Sequence, residues 1–239
     1  MSRGFDSLDV YKDLVFALPM REGSGNPNDH AKPHHPMTLT GAPTWVQSGL
    51  SGKLNCLNFV WANADFIESP AADTADLNFT TGDFSGAVWM KATVDLWGYF
   101  MYRQTPAWEA GPNGGWAFQI MNIGGGPGQI LVETTEAGPA TIETRSREVL
   151  ERNIWYFLAF TRSGTSVRTY INGVDETETI GTHNTILTCV NEDFTIGRYS
   201  SWGPDYTDGQ MWFPRIWSRK LDPSEIKFLY NSERILLGV

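Results

Sequence analysis

The segment Ile154-Trp-Tyr-Phe-Leu-Ala-Phe160 is followed, after a polar turn, by Val167-Arg-Thr-Tyr-Ile171, Asn172-Gly173 and Val174–Ile180. Asn-Gly readily adopts the two positive φ angles of a type I′ turn, so the later part predicts a β-hairpin. The first part is apolar at almost every position, which is typical of a strand covered on both faces. We therefore expect a sheet protein in which something besides an opposing sheet shields this strand.

Turn signals recur at short intervals along the chain, for example at Gly23–Pro27, Gly41–Pro43 and Gly124–Gly128. Short apolar runs lie between them, and this alternation indicates a many-stranded sandwich or barrel. The predicted strands are Leu14–Leu18, Leu54–Phe59, Ala87–Lys91, Trp116–Ile120, Ile130–Thr134 and Ile154–Thr161. The pattern predicts an all-β fold, a two-sheet antiparallel sandwich in one domain.

One helix is predicted near the C-terminus. Asp222-Pro223-Ser224-Glu225 combines a capping side chain, Pro at the first helical position and Glu three residues after the cap. Ile226, Leu229 and Tyr230 follow at helical spacing. A short amphipathic helix therefore begins at Pro223, and helix elsewhere should be scarce.

Composition narrows the possible partners. The 239 residues carry a net charge of −9 and no basic stripe. Such a surface cannot neutralise the phosphates of a nucleic acid, so we do not expect nucleic-acid binding. No apolar run approaches the roughly 18 residues of a membrane span, and residues 1–11 lack the apolar core of a secretory signal. Cys56 and Cys189 are too few for a disulfide scaffold, and we expect two buried free thiols in preference to a bridge.

The sequence lacks a recognisable catalytic pattern. Glycoside hydrolysis needs two carboxylates that flank the scissile bond, and no Glu-x-Asp-x-Glu string occurs. Glu176 and Glu178 alternate, but they directly follow the hairpin turn, where solvated edge charge is expected. There is no G-x-S-x-G and no cysteine partnered with a histidine. We expect a protein that is not an enzyme.

Three histidines cluster at His30, His34 and His35, with His183 as the fourth in the chain. A zinc site needs about four ordered ligands, and no Cys or carboxylate motif accompanies these histidines at metal spacing. Pro33 and Pro36 make the segment a stiff surface loop. Solvated histidines are the expectation here.

An ordered set of segments resembles one known family. These are Thr81-Gly-Asp-Phe-Ser-Gly-Ala-Val-Trp-Met-Lys91, Gly115–Ile120, Trp155–Thr161 with Val167–Val174, Phe194-Thr-Ile-Gly-Arg198, and Asp208-Gly209 with Arg215-Ile-Trp217, Arg219, Leu221 and Glu225-Ile226. Together with Leu18–Gly25 they are similar to the laminin G-like (concanavalin A-like) jelly rolls, over nearly the whole chain. The resemblance implies a jelly-roll sandwich and leaves function open, because this fold serves adhesion, sugar binding and assembly alike.

The resemblance also bears on calcium. Paired aspartates that can support the ion in relatives are replaced here by Trp212 and Phe213, which offer no oxygen ligands. In the opening loop, Asn26, Asn28 and Asp29 could still supply oxygens. Calcium is thus possible in that loop, and no other cofactor is expected.

Aromatic residues are the remaining binding candidates. Trp97, Tyr99, Tyr102 and Trp108 lie between residues 95 and 116, and Trp202 and Tyr206 lie in a polar loop. Rings exposed on loops stack on sugar faces or anchor protein interfaces, whereas buried rings fill a core. Both readings remain open for these loop rings.

The two ends of the chain resemble freestanding laminin G-like proteins of tailed bacteriophages. The matching segments are Lys12-Asp-Leu-Val-Phe-Ala-Leu-Pro19 and Glu225–Val239. The resemblance implies a non-enzymatic virion protein that decorates a capsid or serves a tail, made in the host cytoplasm without a signal peptide. The alternatives are an extracellular carbohydrate-binding module that recognises a surface glycan and, as a minor option, a glycoside hydrolase.

The resemblance to virion proteins also indicates which residues we expect to take part in assembly. Residues 1–12 have few apolar side chains and are expected to form an arm outside a domain at 13–239. The tail carries Ile235, Leu236, Leu237 and Val239 after a helix expected to be too short to hide them. We expect these ends to contact copies of the protein and other virion proteins, because particles repeat one subunit many times.

Overall fold

Antiparallel strands make up most of the chain. The structure is a computed structural model that describes residues 9–93, 98–105, 113–122, 127–137, 141–199 and 205–239. The strands are β1 Leu14–Ala17, β2 Thr38–Thr40, β3 Thr44–Ser48, β4 Leu54–Phe59, β5 Phe66–Ser69, β6 Phe84–Ala92, β7 Gly98–Thr105, β8 Gly114–Met121, β9 Gln129–Thr135, β10 Thr141–Ser146, β11 Tyr156–Ser163, β12 Ser166–Ile171, β13 Val174–Asp175, β14 Thr177–Thr179, β15 Phe194–Ile196 and β16 Gly209–Trp217. Short 3-10 helices span Asp9–Tyr11, Trp61–Asn63 and Ala71–Leu77, and the helix α1 spans Pro223–Leu237.

The strands form two eight-stranded sheets. The first sheet has the order β13-β12-β11-β6-β16-β4-β3, and β1 also pairs with β16. The second sheet has the order β14-β10-β9-β8-β7-β15-β5-β2. Every registered pair is antiparallel. The predicted two-sheet antiparallel sandwich is confirmed.

Aromatic side chains from both sheets form the core between them. Phe84 and Phe160 of the first sheet lie 5.2 Å apart, measured between ring centroids. Phe84 is 5.3 Å from Trp116 and Phe160 is 5.0 Å from Phe118, both on β8 of the second sheet. All four residues are fully buried. These contacts hold the two sheets face to face, since large rings bury the most apolar surface.

Helix α1 shields the opposite face of the first sheet. Tyr230 of α1 stacks on Trp89 of β6 at 5.9 Å and lies 6.4 Å from Phe157 of β11. Phe157 therefore faces α1, whereas Phe160 faces the second sheet. The prediction that this strand is covered on both faces is confirmed, and α1 supplies the second cover.

The two predicted local signals are present as expected. Asn172 and Gly173 have φ angles of 52° and 77°, and they connect β12 to β13. At the start of α1, the Asp222 side chain and Glu225 form the capping box, with Pro at the first turn. The segment after the turn is divided between the two sheets. Strand β13 pairs in the first sheet, and strand β14 pairs in the second.

The C-terminal tail differs from its prediction. Helix α1 has 15 residues and continues through Leu237, which is buried. Leu237 is therefore a core residue and not part of a free assembly surface, because its helical position turns it toward the sheet. Ile235, Leu236 and Val239 are 65%, 51% and 41% exposed, as an assembly surface would require.

The last residues of the predicted N-terminal arm pack on the sandwich. Val10 is buried, and its carbonyl accepts a 2.8 Å hydrogen bond from Trp217 Nε1. The Arg219 guanidinium donates to the carbonyls of Asp9 and Lys12. Residues 9–12 are thus fixed to the sandwich by contacts that sequence proximity cannot reveal, and the rest of the predicted arm, residues 1–8, lies outside the described residues.

The cysteines are as expected. Cys56 and Cys189 are both free and buried. Burial raises the pKa of the Cys56 thiol to about 12, so this sulfur stays protonated at neutral pH.

Candidate functional site

A β-bulge in β7 determines which aromatic rings share the outer face of the second sheet. Tyr99 pairs with Gln119 and Tyr102 pairs with Ala117, although the tyrosines are three positions apart and their partners are only two positions apart. Side chains alternate between faces along a regular strand, so Tyr99 and Tyr102 would otherwise point to opposite sides. The extra residue brings both rings to the same side, where their centroids lie 5.7 Å apart.

These rings belong to a packed tyrosine cluster. Tyr199 lies 5.0 Å from both Tyr99 and Tyr102, and Ala117 completes the cluster. Tyr99 is only 3% exposed and Tyr102 is fully buried. The prediction of Tyr99 as an exposed binding ring is therefore corrected, because the bulge places it in an aromatic cluster on the sheet.

The other predicted rings have different outcomes. Trp97, Trp108 and Trp202 lie outside the described residues. Tyr206 is half-buried and packs edge-on against Trp61, with 6.2 Å between the ring centroids. Trp61 itself is 37% exposed, and it was not among the predicted binding residues. Its position in the short connection between β4 and β5 was the available signal.

Two carboxyl groups face each other on the same outer face. Four paired residues follow one another across neighbouring strands of the second sheet. Tyr102 lies opposite Ala117, and Ala117 lies opposite Glu133 of β9. Glu133 in turn lies opposite Glu143 of β10. Burial, followed by the charge of Glu143 and a hydrogen bond to it, raises the pKa of Glu133 to about 7. A carboxyl group whose pKa lies near 7 is partly protonated at neutral pH, and in that form it can donate to a neighbouring carboxylate.

Arg145 and Gln119 complete this constellation. Arg145 Nε donates to Glu143 Oε2 at 2.9 Å, and Nη2 contacts the same oxygen. The charge of Arg145 and a hydrogen bond from Gln119 both act to lower the pKa of Glu133, but they do not offset its burial. We call Glu133, Glu143, Arg145 and Gln119 the carboxyl-pair site. Glu133, Glu143 and Arg145 are partly exposed, whereas Gln119 is buried.

An open groove of about 630 Å³ runs beside the carboxyl-pair site. Its lining residues are polar apart from one apolar side chain and a glycine: Thr141, Ile142, Glu143, Arg145, Thr179, Gly181, Thr182 and Asn184. A Cβ atom on Gly181 would lie 2.4 Å from the carbonyl oxygen of Glu143, so the close approach of these two segments requires glycine. The groove thus presents hydroxyl, carboxyl and guanidinium groups together.

The predicted calcium ligands have other partners. Asp29 Oδ1 accepts hydrogen bonds from the backbone N–H groups of Ala17 and Ala31, both at 2.9 Å. Its Oδ2 accepts from the backbone N–H of His35 at 3.0 Å and contacts His35 Nδ1 at 2.6 Å. Asp29 is therefore corrected from a calcium ligand to a structural acceptor, because four hydrogen bonds occupy its carboxylate.

The two asparagines of that prediction are also engaged. Asn26 Oδ1 accepts a hydrogen bond from Leu39 N–H at 3.0 Å, and Asn28 donates to Glu22. Over the described ranges, no group of three or more His, Cys, Asp or Glu side chains is arranged to hold a metal ion.

His35 departs from its prediction as a solvated residue. It is buried, with Nδ1 2.6 Å from Asp29 Oδ2 and Nε2 3.0 Å from Asp76 Oδ1. Burial alone would lower the pKa of His35, but the two aspartates outweigh it and raise the pKa to about 9. His35 is thus a charged link between the opening loop and the 3-10 helix Ala71–Leu77. His30 and His34 are exposed, as expected.

A family comparison agrees with this architecture. Residues 67–227 match the family model described as the concanavalin A-like lectin/glucanases superfamily. The chain belongs to this superfamily. A search of curated protein sequences found no significant match.

Solved structures show the same concanavalin A-like fold at low sequence identity. The receptor-binding domain of botulinum neurotoxin D has a TM-score of 0.70 and 14% identity, covering 94% of this chain and 54% of that one. The binding domain of Paraclostridial Mosquitocidal Protein 1 has a TM-score of 0.68 and 14% identity, with 94% and 53% covered. The chain thus spans about half the length of these toxin domains.

A third similar structure matches over nearly its full length. Domain 4 of AbnA, a GH43 extracellular arabinanase from Geobacillus stearothermophilus, was solved in complex with arabinotriose. It has a TM-score of 0.65 and 17% identity, and the match covers 91% of this chain and 98% of that domain. At these identities the likeness establishes the concanavalin A-like fold alone.

Proposed function

We propose that this concanavalin A-like domain is a non-enzymatic recognition domain that binds a saccharide in the groove beside the carboxyl-pair site. The observation that supports the proposal is the direct opposition of Glu133 and Glu143 next to Arg145, with Glu143 and Arg145 in the wall of an open groove. Sugar hydroxyls both donate and accept hydrogen bonds. Carboxyl and guanidinium groups supply the matching acceptors and donors.

The geometry of the pair supports binding over hydrolysis. Glycosidases hold their two carboxyl groups about 5–5.5 Å apart, or about 6.5–9.5 Å apart, so that the scissile bond fits between them. Glu133 and Glu143 are direct cross-strand neighbours, and the charge of Glu143 raises the pKa of Glu133, which favours a shared contact over a gap that holds the scissile bond. The same proximity suits a shared contact with neighbouring hydroxyl groups of one sugar ring.

Arabinotriose is the first probe for this proposal, within a panel of immobilised plant and bacterial oligosaccharides. We expect saturable binding of at least one panel member by calorimetry. Glu143→Gln should weaken that binding about tenfold or more, because hydrogen bonds to charged groups contribute about 1.5–3 kcal/mol. Glu178→Gln, an exposed residue of β14, makes the same charge change away from the groove lining and should leave affinity unchanged.

Two results would contradict saccharide recognition at this site. One is the absence of saturable binding to every oligosaccharide of the panel by protein that unfolds cooperatively. The other is an equal loss of affinity for Glu178→Gln and Glu143→Gln. Release of reducing sugar that disappears in Glu143→Gln would show that the domain is an enzyme.

For the setting of this recognition we propose a bacteriophage virion, in which the domain is a subunit of the capsid surface or the tail. The terminal segments that resemble phage proteins motivate it, and the exposed side chains of Ile235 and Val239 support attachment to other subunits. Mass spectrometry of purified particles should detect the protein. Ile235→Ser/Val239→Ser should reduce its incorporation, and undiminished incorporation would place the contact elsewhere.

A further inference from the structure

A second groove, of about 540 Å³, lies between α1 and the edge of the first sheet, and we call it the helix groove. Phe228 and Leu236 of α1 form one wall, and Leu54 of β4 lies across from them. Trp212 and Phe213 of β16 also line it. Phe228 and Leu236 remain 49% and 51% exposed, so much apolar surface here is uncovered.

Hydrogen bonds join the chain segments that line the helix groove. Trp212 Nε1 donates to the carbonyl of Pro19 at 3.2 Å, and Asn55 Nδ2 donates to the carbonyl of Arg21 at 3.2 Å. At the end of α1, the N–H of Leu50 donates to the carbonyl of Leu236 at 3.0 Å. A preformed apolar pocket of this volume lies within the usual range of small-molecule sites, about 300–1,000 Å³.

The acidic residue that borders the helix groove is already neutralised. Glu233 Oε1 accepts from Arg215 Nη1, and its Oε2 accepts from Arg215 Nη2 and Trp89 Nε1. A ligand in the groove therefore does not meet an uncompensated carboxylate.

The remaining charges at the helix groove are positive. Arg21 and Lys53 come from the two chain segments that border it, and both are exposed. Glu233 is the other charged residue of the lining, and Arg215 compensates it. A locally cationic rim is unusual in a chain of net charge −9, and it favours an occupant with an anionic end.

We propose that the helix groove binds a free anionic amphiphile, a molecule with one alkyl or aromatic body and one carboxylate or sulfonate group. The body contacts Phe228, Leu236 and Trp212, and the anionic end lies at Arg21 and Lys53. A second copy of the chain that docks through the same face is a poorer occupant, because it would bring the same cationic rim against this one. The site is separate from the carboxyl-pair site, so its occupancy does not depend on saccharide binding.

Dodecanoate is the probe, used at neutral pH below its micelle-forming concentration, with dodecyltrimethylammonium as the opposite-charge control. We expect saturable binding of about one dodecanoate per chain by calorimetry, and at least several-fold weaker binding of the cationic probe. Anionic phospholipid vesicles form a further arm. Binding to vesicles without binding of free dodecanoate would overturn the proposal in favour of a membrane surface.

Variants separate the two parts of the site. Arg21→Gln/Lys53→Gln should weaken dodecanoate binding roughly three- to tenfold and should not weaken binding of the cationic probe, since the removed charges attract only the anionic probe. Leu236→Ser should weaken both probes about tenfold, since it removes apolar contact. Ile235→Ser is the matched control, because it is 65% exposed on the same helix but does not line the groove.

A measurement on the unaltered protein tests the site without depending on whether the variants fold. Dodecanoate should slow acetylation of the Lys53 amine by an activated ester and leave the Lys227 amine unchanged, as followed by mass spectrometry of peptides. No saturable binding, equal affinity for the two probes, no protection of Lys53, or an Ile235→Ser effect equal to that of Leu236→Ser would each overturn the proposal.

Discussion

Arg215 and Glu233 form a bidentate ion pair between β16 and α1, with Nη1–Oε1 at 2.5 Å and Nη2–Oε2 at 2.9 Å. Arg215 is fully buried and Glu233 is 6% exposed. The guanidinium also lies 4.1 Å from the centroid of the Phe213 ring, and Trp89 Nε1 donates to Glu233 Oε2 at 2.7 Å. The position of α1 on the first sheet is therefore determined by a polar contact as well as by apolar packing.

Removal of one partner of this pair should be costly. In Glu233→Leu, Arg215 stays buried without a counter-charge, and we expect the free energy of unfolding to fall by about 3–5 kcal/mol. The double variant Arg215→Met/Glu233→Leu should recover most of that loss, because no buried charge remains. Urea unfolding of the three proteins measures both values. A loss below about 1 kcal/mol for the single variant would mean that water reaches Arg215.

His35 should make stability depend on pH on the alkaline side. Its pKa is about 9 in the folded protein against 6.5 for an unperturbed histidine. The folded state thus holds the proton more tightly, so the contribution is complete below pH 6.5 and is lost as the pH rises through about 9. At 1.36 kcal/mol per pKa unit this is at most about 3 kcal/mol. Urea unfolding of the protein and of His35→Asn between these pH values should give curves that converge at the alkaline end, and parallel curves would contradict the assignment.

His183 should act in the opposite direction. Burial, together with the charge of Arg162, lowers its pKa to about 4, and its ring nitrogens lie 2.7 Å from Thr134 Oγ1 and 2.9 Å from Thr144 Oγ1. The unfolded state binds the proton first, so this contribution is present above pH 6.5 and is lost as the pH falls from 6.5 to about 4. His183→Gln should show a shallower decline of stability over that window than the unaltered protein. An identical decline would indicate that the acidic loss arises from carboxyl groups alone.

The tail residues should separate into a core residue and surface residues. Leu237→Ala removes a buried side chain that is 6% exposed, and we expect a loss of about 2–5 kcal/mol in the free energy of unfolding. Ile235→Ala changes an exposed residue of the same helix and should stay within about 0.5 kcal/mol of the unaltered protein. Similar losses for the two variants would mean that α1 packs differently near its end.

Local signals were the part of the fold that the sequence predicted well. The Asn172-Gly173 turn and the capping box at Asp222 depend on neighbouring residues only, and both are present. The fully apolar segment Ile154–Phe160 also predicted burial on both faces correctly, although not that α1 provides the cover. The helix end was predicted less well, since tail residues up to Leu237 continue the helix.

The candidate site was not predictable in the same way. Glu133 and Glu143 are ten residues apart, and nothing in their local sequence marks them as a pair. Their opposition follows from the β9–β10 register, in which a shift of one residue would turn one of them to the other face. Tyr99 was misjudged because it was taken for a loop ring, whereas it lies in strand β7 and packs against Tyr102 and Tyr199.

The sequence by itself thus determined the all-β sandwich, the hairpin and the start of α1, because alternation, turn residues and helix caps act over a few neighbouring positions. The tertiary structure alone decided that His35 is buried between Asp29 and Asp76, which follows it by 41 residues, and that Arg215 meets Glu233. It also decided that Glu133 lies opposite Glu143. These outcomes depend on strand register, on bulges and on the removal of water from paired charges, and none of these is encoded in a short stretch of chain.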